Sequence, residues 1–228
     1  MEAFVRQVAV LLAKDVLVEL RAGELIYATL LFSAIVVLLF SFAFLGGSPP
    51  TIEVTAGVLW VGLALAGMLG ISRSFERERE ADTLRALLLS PVSRAALYLA
   101  KMLGICLLMI AVCCVVLPAL GLLFGLHIER IGLLLGLLAL GILGFAAVAA
   151  LFGASLGRAR VRELLLPLLV YPLTVPVLLA GTRGTYAVLY GTEQSLLDAA
   201  RWLRFLLVFD ATALLCGLWL FEPMTAQE

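Results

Sequence analysis

Charged residues are scarce in this chain of 228 residues, since Lys, Arg, Asp and Glu together make up 14% of it. Soluble domains are about 25% charged and roughly 45–50% apolar, whereas 64% of this chain is hydrophobic. A single core in a chain of this size could not hide so much apolar surface, so the surplus must face lipid. The 16 basic and 16 acidic residues cancel, which excludes a strongly basic nucleic-acid binder.

Patterns for catalysis, metal binding and disulfide formation are also missing. The four cysteines lie within apolar runs without a Cys-x-x-Cys pair, so neither a disulfide framework nor a zinc site is expected. No Gly-x-x-x-x-Gly-Lys-Ser/Thr phosphate loop occurs, and no set of Ser, His and Asp favours an enzyme acting alone. We therefore expect a non-catalytic protein without a cofactor or metal of its own, which receives any energy from a partner.

Long apolar runs account for most of the chain. A spanning helix needs about 20 apolar residues, and spans are expected near 25–45, 54–72, 96–126, 131–156, 161–181 and 204–221. Residues 1–22 are amphipathic and should lie along the membrane surface, and residues 182–203 are polar enough for a short surface helix. The predicted fold is one all-α integral membrane domain over 1–228, with an interfacial helix and six transmembrane helices.

Basic residues are distributed unevenly over the connections. Alternate connections hold twelve and four of the Lys and Arg residues, so the positive-inside rule places both termini in the cytoplasm. The same rule places residues 182–203 on the periplasmic side. Two strips of small residues predict close helix contacts, either within the chain or between two copies. They are Gly62, Ala66 and Gly70, and Ala149, Gly153 and Gly157.

The connection between the second and third spans concentrates charge. Eight of the thirteen residues from Arg73 to Arg85 are charged, four of each sign, and many opposite charges stand three residues apart, as helical pairs do. A leucine-rich half follows. Equal numbers of acids and bases favour recognition by another protein over attraction to anionic lipid. The alternative is a solvated helix that only orients the third span.

Short motifs within the run from Arg73 to Lys101 and elsewhere in the chain form a recognisable set. They are Phe75–Glu80, Thr83–Leu84, Leu87–Leu88, Pro91–Val92, Lys14–Asp15, Glu19–Arg21, Glu24, Gly57–Trp60, Gly67, Gly70, Ser74, Pro167, Pro172 and Pro176. The run from Arg73 to Lys101 resembles the coupling segment of ABC-2-type exporter permeases, and the whole set more closely resembles the CcmB family, the haem exporter permease subunits of cytochrome c maturation. The chain departs from that family at Asp82, where glycine is more common.

The resemblance implies a permease subunit in a bacterial inner membrane. Its partners would be a second copy of itself, a cytoplasmic ABC ATPase that binds ATP, a haem-handling membrane protein, a small membrane subunit and a periplasmic haem chaperone. Haem would be the cargo, or the complex would release the haem-loaded chaperone. The resemblance assigns ATPase coupling, within segment 73–95, to Arg73, Glu76, Arg77, Glu78, Glu80, Thr83, Leu84, Leu87, Leu88 and Pro91.

Two isolated polar residues are further candidates for substrate contact. His127, the only histidine, could supply one axial haem ligand or be an ordinary histidine at a helix end. Asp210 is the acid expected inside the membrane, where it could handle substrate or simply reach headgroups or Arg201.

Two other functions stay open at this point. The chain could be an ABC-2 permease for a drug, lipid or polysaccharide, or a non-transporting scaffold that relays force from the ATPase. Likewise, the three prolines of the fifth span could break that helix beside a cavity or only kink it.

Overall fold

The computed structural model of the chain describes residues 2–44, 51–80, 93–125, 128–155 and 162–225. These residues form seven helices and no strand. The helices are α1 Glu2–Ala22, α2 Glu24–Ala43, α3 Ile52–Glu80, α4 Arg94–Phe124, α5 Ile131–Ser155, α6 Arg162–Tyr190 and α7 Glu193–Thr225.

Six of these helices, α2 to α7, are long and apolar enough to cross a membrane. This confirms the predicted all-α membrane fold with six spans. Helix α1 carries more charge and precedes them, as expected for an interfacial helix. The protein is therefore a multi-pass membrane protein.

A single glycine separates α1 from α2. Gly23 has φ 66°, a left-handed conformation that favours glycine, and a Cβ placed there would lie 2.7 Å from the Tyr27 ring. The Ile26 amide donates to Glu19 Oε1 at 3.0 Å, which pairs an amide that the start of α2 would otherwise leave without a partner. The chain therefore turns sharply into the first span.

The core has a large side chain wedged between close-packed helices. Trp60 of α3 is 2% exposed, and its ring contacts the backbone at Gly141 of α5 and Gly181 of α6. Its Nε1 donates to Thr185 Oγ1 at 2.9 Å, so the polar end of this aromatic side chain is satisfied. The wedge fixes α3 against the α5–α6 pair.

The small-residue strip of α3 contacts other helices of the same chain. Ala66 is fully buried, and Gly70 lies directly against Leu108 of α4. A Cβ at Gly62 would meet nothing within 4 Å. Close packing within the chain therefore accounts for two of the three positions, and Gly157 of the second strip lies outside the described residues.

The largest difference from the sequence prediction concerns residues 182–203. Helix α6 continues to Tyr190, and α7 begins at Glu193, so the expected separate surface helix is instead the end of one span and the start of the next. Gly191, with φ 76°, makes the turn. The reason is packing: Gly184 contacts Leu137 of α5 and Thr185 binds Trp60, which holds this polar stretch in the bundle. The three prolines of α6 lie inside one continuous helix.

Candidate functional site

The predicted coupling segment begins as a continuation of a membrane span. The apolar part of α3 covers Ile52–Ser72, and the helix then continues through the charged run to Glu80. A continuous helix transmits a displacement along its axis, so a force on residues 73–80 would displace the membrane-spanning part of α3 directly. Of the predicted coupling residues, Arg73, Glu76, Arg77, Glu78 and Glu80 belong to this extension. Thr83, Leu84, Leu87, Leu88 and Pro91 lie outside the described residues.

The far end of the segment is capped and attached to α1. Ser93 is the N-cap of α4, with φ −67° and ψ 134°, and its Oγ accepts a hydrogen bond from the Ala96 amide at 3.2 Å. Such a cap satisfies one of the free amides at a helix start. The Ser93 amide also donates to Gln7 Oε1 of α1 at 3.4 Å. The start of α4 is thus fixed both within itself and to its neighbour.

A second and stronger link joins α4 to α1. Lys101 Nζ lies 2.7 Å from Asp15 Oδ2, and the two side chains are 6% and 21% exposed. Lys14 Nζ lies 3.0 Å from the other oxygen of Asp15, so both lysines of the chain meet at this carboxylate. Helix α1 is therefore attached to the helix that leaves the coupling segment.

The ion pair borders a cavity of about 270 Å³ enclosed by α1, α2, α3 and α4. Most of its lining is apolar. Residues that line it include Asp15, Glu19, Ile26, Gly70, Lys101 and Leu108. The link between α1 and α4 is therefore not packed on every side.

Asp210 lies at the middle of α7, and its side chain is buried. The residue is 3% exposed, and neither carboxyl oxygen has a hydrogen-bond partner among the described residues. Its Oδ1 faces Gly144 of α5, where only glycine leaves room for it. Arg201 pairs instead with Asp198 at 2.8 Å, so the alternative in which Asp210 reaches headgroups or Arg201 is wrong. Its role in substrate handling stays a prediction.

The second candidate for substrate contact is His127. His127 lies outside the described residues, so haem ligation by it also stays a prediction. Within the parts of the chain that the structure describes, no three His, Cys, Asp or Glu side chains group as a metal site would require.

Sequence reasoning missed the partner of Lys101. Lys101 was placed at the end of the charged connection, but nothing in its spacing pointed to Asp15, which lies 86 residues earlier. One available signal was the scarcity of lysine, because a lysine inside an apolar run requires an acidic partner.

Six candidate spans define the class: a polytopic helical membrane protein, in which a charged helix extends the second span. The family model described as CcmB protein matches residues 6–221. The chain therefore belongs to the CcmB family.

Three curated relatives agree with this assignment, and all are named heme exporter protein B. The chain is 32% identical over 192 residues to the protein of Pseudomonas aeruginosa, covering 82% of this chain and 84% of that protein. It is 34% identical over 177 residues to that of Rhodobacter capsulatus, covering 75% and 78%. It is 31% identical over 186 residues to that of Bradyrhizobium diazoefficiens, covering 79% and 82%.

Proposed function

We propose that this chain is the membrane permease subunit of an ATP-driven ABC complex for cytochrome c maturation, which exports haem or releases a haem-loaded periplasmic chaperone. Membership of the CcmB family and the names of the relatives support haem as the cargo. The observation that carries the coupling part of the proposal is the continuity of α3 from the membrane span to Glu80.

The proposed mechanism is mechanical. The chain has no phosphate loop, so ATP hydrolysis belongs to a separate cytoplasmic subunit that engages segment 73–95. Displacement of that segment would pass into α3 along one continuous helix and into α4 through its capped start. The bonds from Gln7 to Ser93 and from Asp15 to Lys101 would carry α1 along. Both ends of the segment would then move together.

The surroundings of the subunit follow from the same proposal. Both termini and the coupling segment face the cytoplasm of a bacterial inner membrane, as the distribution of basic residues predicts. The complex contains a second copy of this chain, a haem-handling membrane protein, a small membrane subunit and a periplasmic haem chaperone.

A force-relay role is a second candidate, and the polarity of the core favours it. Most buried hydroxyls donate to carbonyl groups of their own helix, as Thr29 does to Leu25 and Thr174 to Val170. Asp210 is the only buried acid among the described residues. The described interior of one copy thus offers no polar path for a dicarboxylate such as haem, whereas a helix bundle that relays motion needs none. Export of another substrate is less consistent with the names of the relatives.

Substitutions that change the charge of the coupling segment test the proposal. The chain is co-expressed with its ATPase, and we expect Glu78→Lys or Leu87→Asp to abolish ATPase co-purification and haem-stained c-type cytochromes together. Glu53→Lys is the matched control, since it reverses an exposed acid in the first turn of the same helix, at its opposite end. Retention of the complex and normal cytochromes in the segment variants would contradict the coupling assignment. Haem bound or moved by the reconstituted complex would distinguish export from force relay.

A further inference from the structure

A second cavity lies at the end of the bundle opposite the coupling segment. The coupling segment joins α3 to α4. From there the chain crosses the membrane three times, through α4, α5 and α6, so the turn at Gly191 and Thr192 lies at the other membrane face. Between α6 and α7, near this turn, is a cavity of about 580 Å³, a volume typical of ligand pockets, which are about 300–1,000 Å³. We call it the outer pocket. It is lined by Arg183, Tyr186, Ala187, Ser195, Asp198, Arg201, Trp202 and Phe205.

The hairpin brings two arginines to the same depth. Arg183 lies eight residues before Gly191 and Arg201 ten residues after it, which at about 1.5 Å of rise per residue is roughly 12 and 15 Å from the turn. Spacings of three and four residues place Arg183, Tyr186 and Ala187 on one face of α6. Both arginines therefore line one cavity, Arg183 from α6 and Arg201 from α7.

The charge of the pocket is positive. Arg183 forms no ion pair within the described residues, and Arg201 pairs with Asp198 at 2.8 Å, with side chains that are 69% and 46% exposed. Such an exposed pair is weak, so an incoming anion can compete for Arg201. The lining has two cations for one acid.

Aromatic residues of the same two helices also line the outer pocket. The Trp202 and Phe205 rings are 6.2 Å apart in an edge-to-face arrangement, and the tilted rings of Tyr186 and Tyr190 are 5.6 Å apart. Tryptophan and tyrosine are enriched at membrane–water interfaces, where their rings lie at the level of the headgroups. In this chain the aromatic rings and the two arginines line the same pocket, so one site can contact both the charged and the apolar part of a ligand.

We propose that the outer pocket binds the anionic end of an amphiphile, with carboxylate or phosphate oxygens at Arg183 and Arg201 and an apolar body against Trp202 and Phe205. Arginine is suited to this role because its planar fork binds such oxygens in pairs. Two sources share this chemistry: an anionic phospholipid, and a porphyrin dicarboxylate such as haem. Only the haem source rests on the proposed function.

Binding is measured on the full chain in phosphatidylcholine nanodiscs by quenching of tryptophan fluorescence. Trp219→Phe is the background, because Trp219 is 78% exposed and would respond to any lipid. The probes are brominated phosphatidylglycerol, brominated phosphatidylcholine and haem. We expect the first or third to bind, and Arg183→Gln with Arg201→Gln to weaken that binding at least tenfold.

Two variants separate the pocket from general surface charge. Arg204→Gln removes an arginine one turn away that bonds the Ala200 carbonyl and does not line the cavity, so it should leave affinity unchanged. Asp198→Asn makes the pocket more positive without removing a cation, so it should tighten binding of the anion. This variant tests the proposal independently of whether the double arginine variant folds.

The outcomes are distinct. Quenching by phosphatidylglycerol alone identifies a lipid headgroup site, and saturable haem binding lost with the arginines identifies a porphyrin site. Equal quenching by both lipids, together with haem binding that none of the four substitutions changes, would overturn the proposal. No ATPase is present in this assay, so failure of the coupling mechanism would leave its result unaffected.

Discussion

Replacing Lys101 with methionine removes the charged link between α1 and α4 while keeping an unbranched side chain of similar length. The pair is 2.7 Å long, with Lys101 6% exposed and Asp15 21% exposed. Truncating one partner of a buried pair costs about 3–5 kcal/mol, whereas an exposed pair is worth about 0.2–1 kcal/mol. Partial exposure of Asp15 and its second contact with Lys14 place this pair between those limits, at about 1–3 kcal/mol.

A double-mutant cycle measures that coupling energy. Thermal or denaturant unfolding of the purified chain is compared for the wild type, Lys101→Met, Asp15→Asn and the double variant. We expect the double variant to be less destabilised than the sum of the single variants by about 1–3 kcal/mol. In cells, Lys101→Met should leave the ATPase bound but lower the yield of c-type cytochromes, because α1 no longer follows α4. Additivity within about 0.3–0.5 kcal/mol would refute the reasoning.

Four further substitutions test the packing. Gly181→Ala should lower the unfolding temperature, because overpacking against Trp60 costs about 1–3 kcal/mol. Gly62→Ala, whose added Cβ would meet open space, should be neutral or slightly stabilising. Equal effects of the two substitutions would contradict the wedging of Trp60 between α5 and α6. Asp210→Asn should leave the unfolding temperature unchanged or raise it, because it removes an ionisable group that lacks a partner, and a clear decrease would show that the carboxylate has one. Gly23→Ala should cost about 1–2 kcal/mol, since φ is positive there, and unchanged stability would argue against the turn.

The number of spans and the fold class followed from hydropathy, because lipid requires each crossing helix to be apolar over its whole length. The helical start of the coupling segment followed from charge spacing. Hydropathy predicted the end of the fifth span wrongly, because packing determines where that helix ends. It placed the end near residue 181, but Thr185 binds Trp60 and the helix continues to Tyr190.

The tertiary contacts of the site were beyond sequence reasoning. Asp15 and Lys101 are 86 residues apart, and no local pattern joins positions at that separation. The outer pocket was missed for a related reason. Hydropathy places Arg183 and Arg201 in a surface connection, whereas the tight turn at Gly191 brings α6 and α7 together so that both arginines line one cavity.

Site-specific photo-crosslinking tests the central claim most directly. A photoreactive amino acid replaces Leu87 in the coupling segment or, as the matched control, Ile131, an exposed apolar residue at the opposite end of the bundle. We expect irradiation of cells with the complete complex to join position 87, but not position 131, to the ATPase subunit. Adducts from position 131 alone, or none from position 87 in cells that still mature c-type cytochromes, would contradict it.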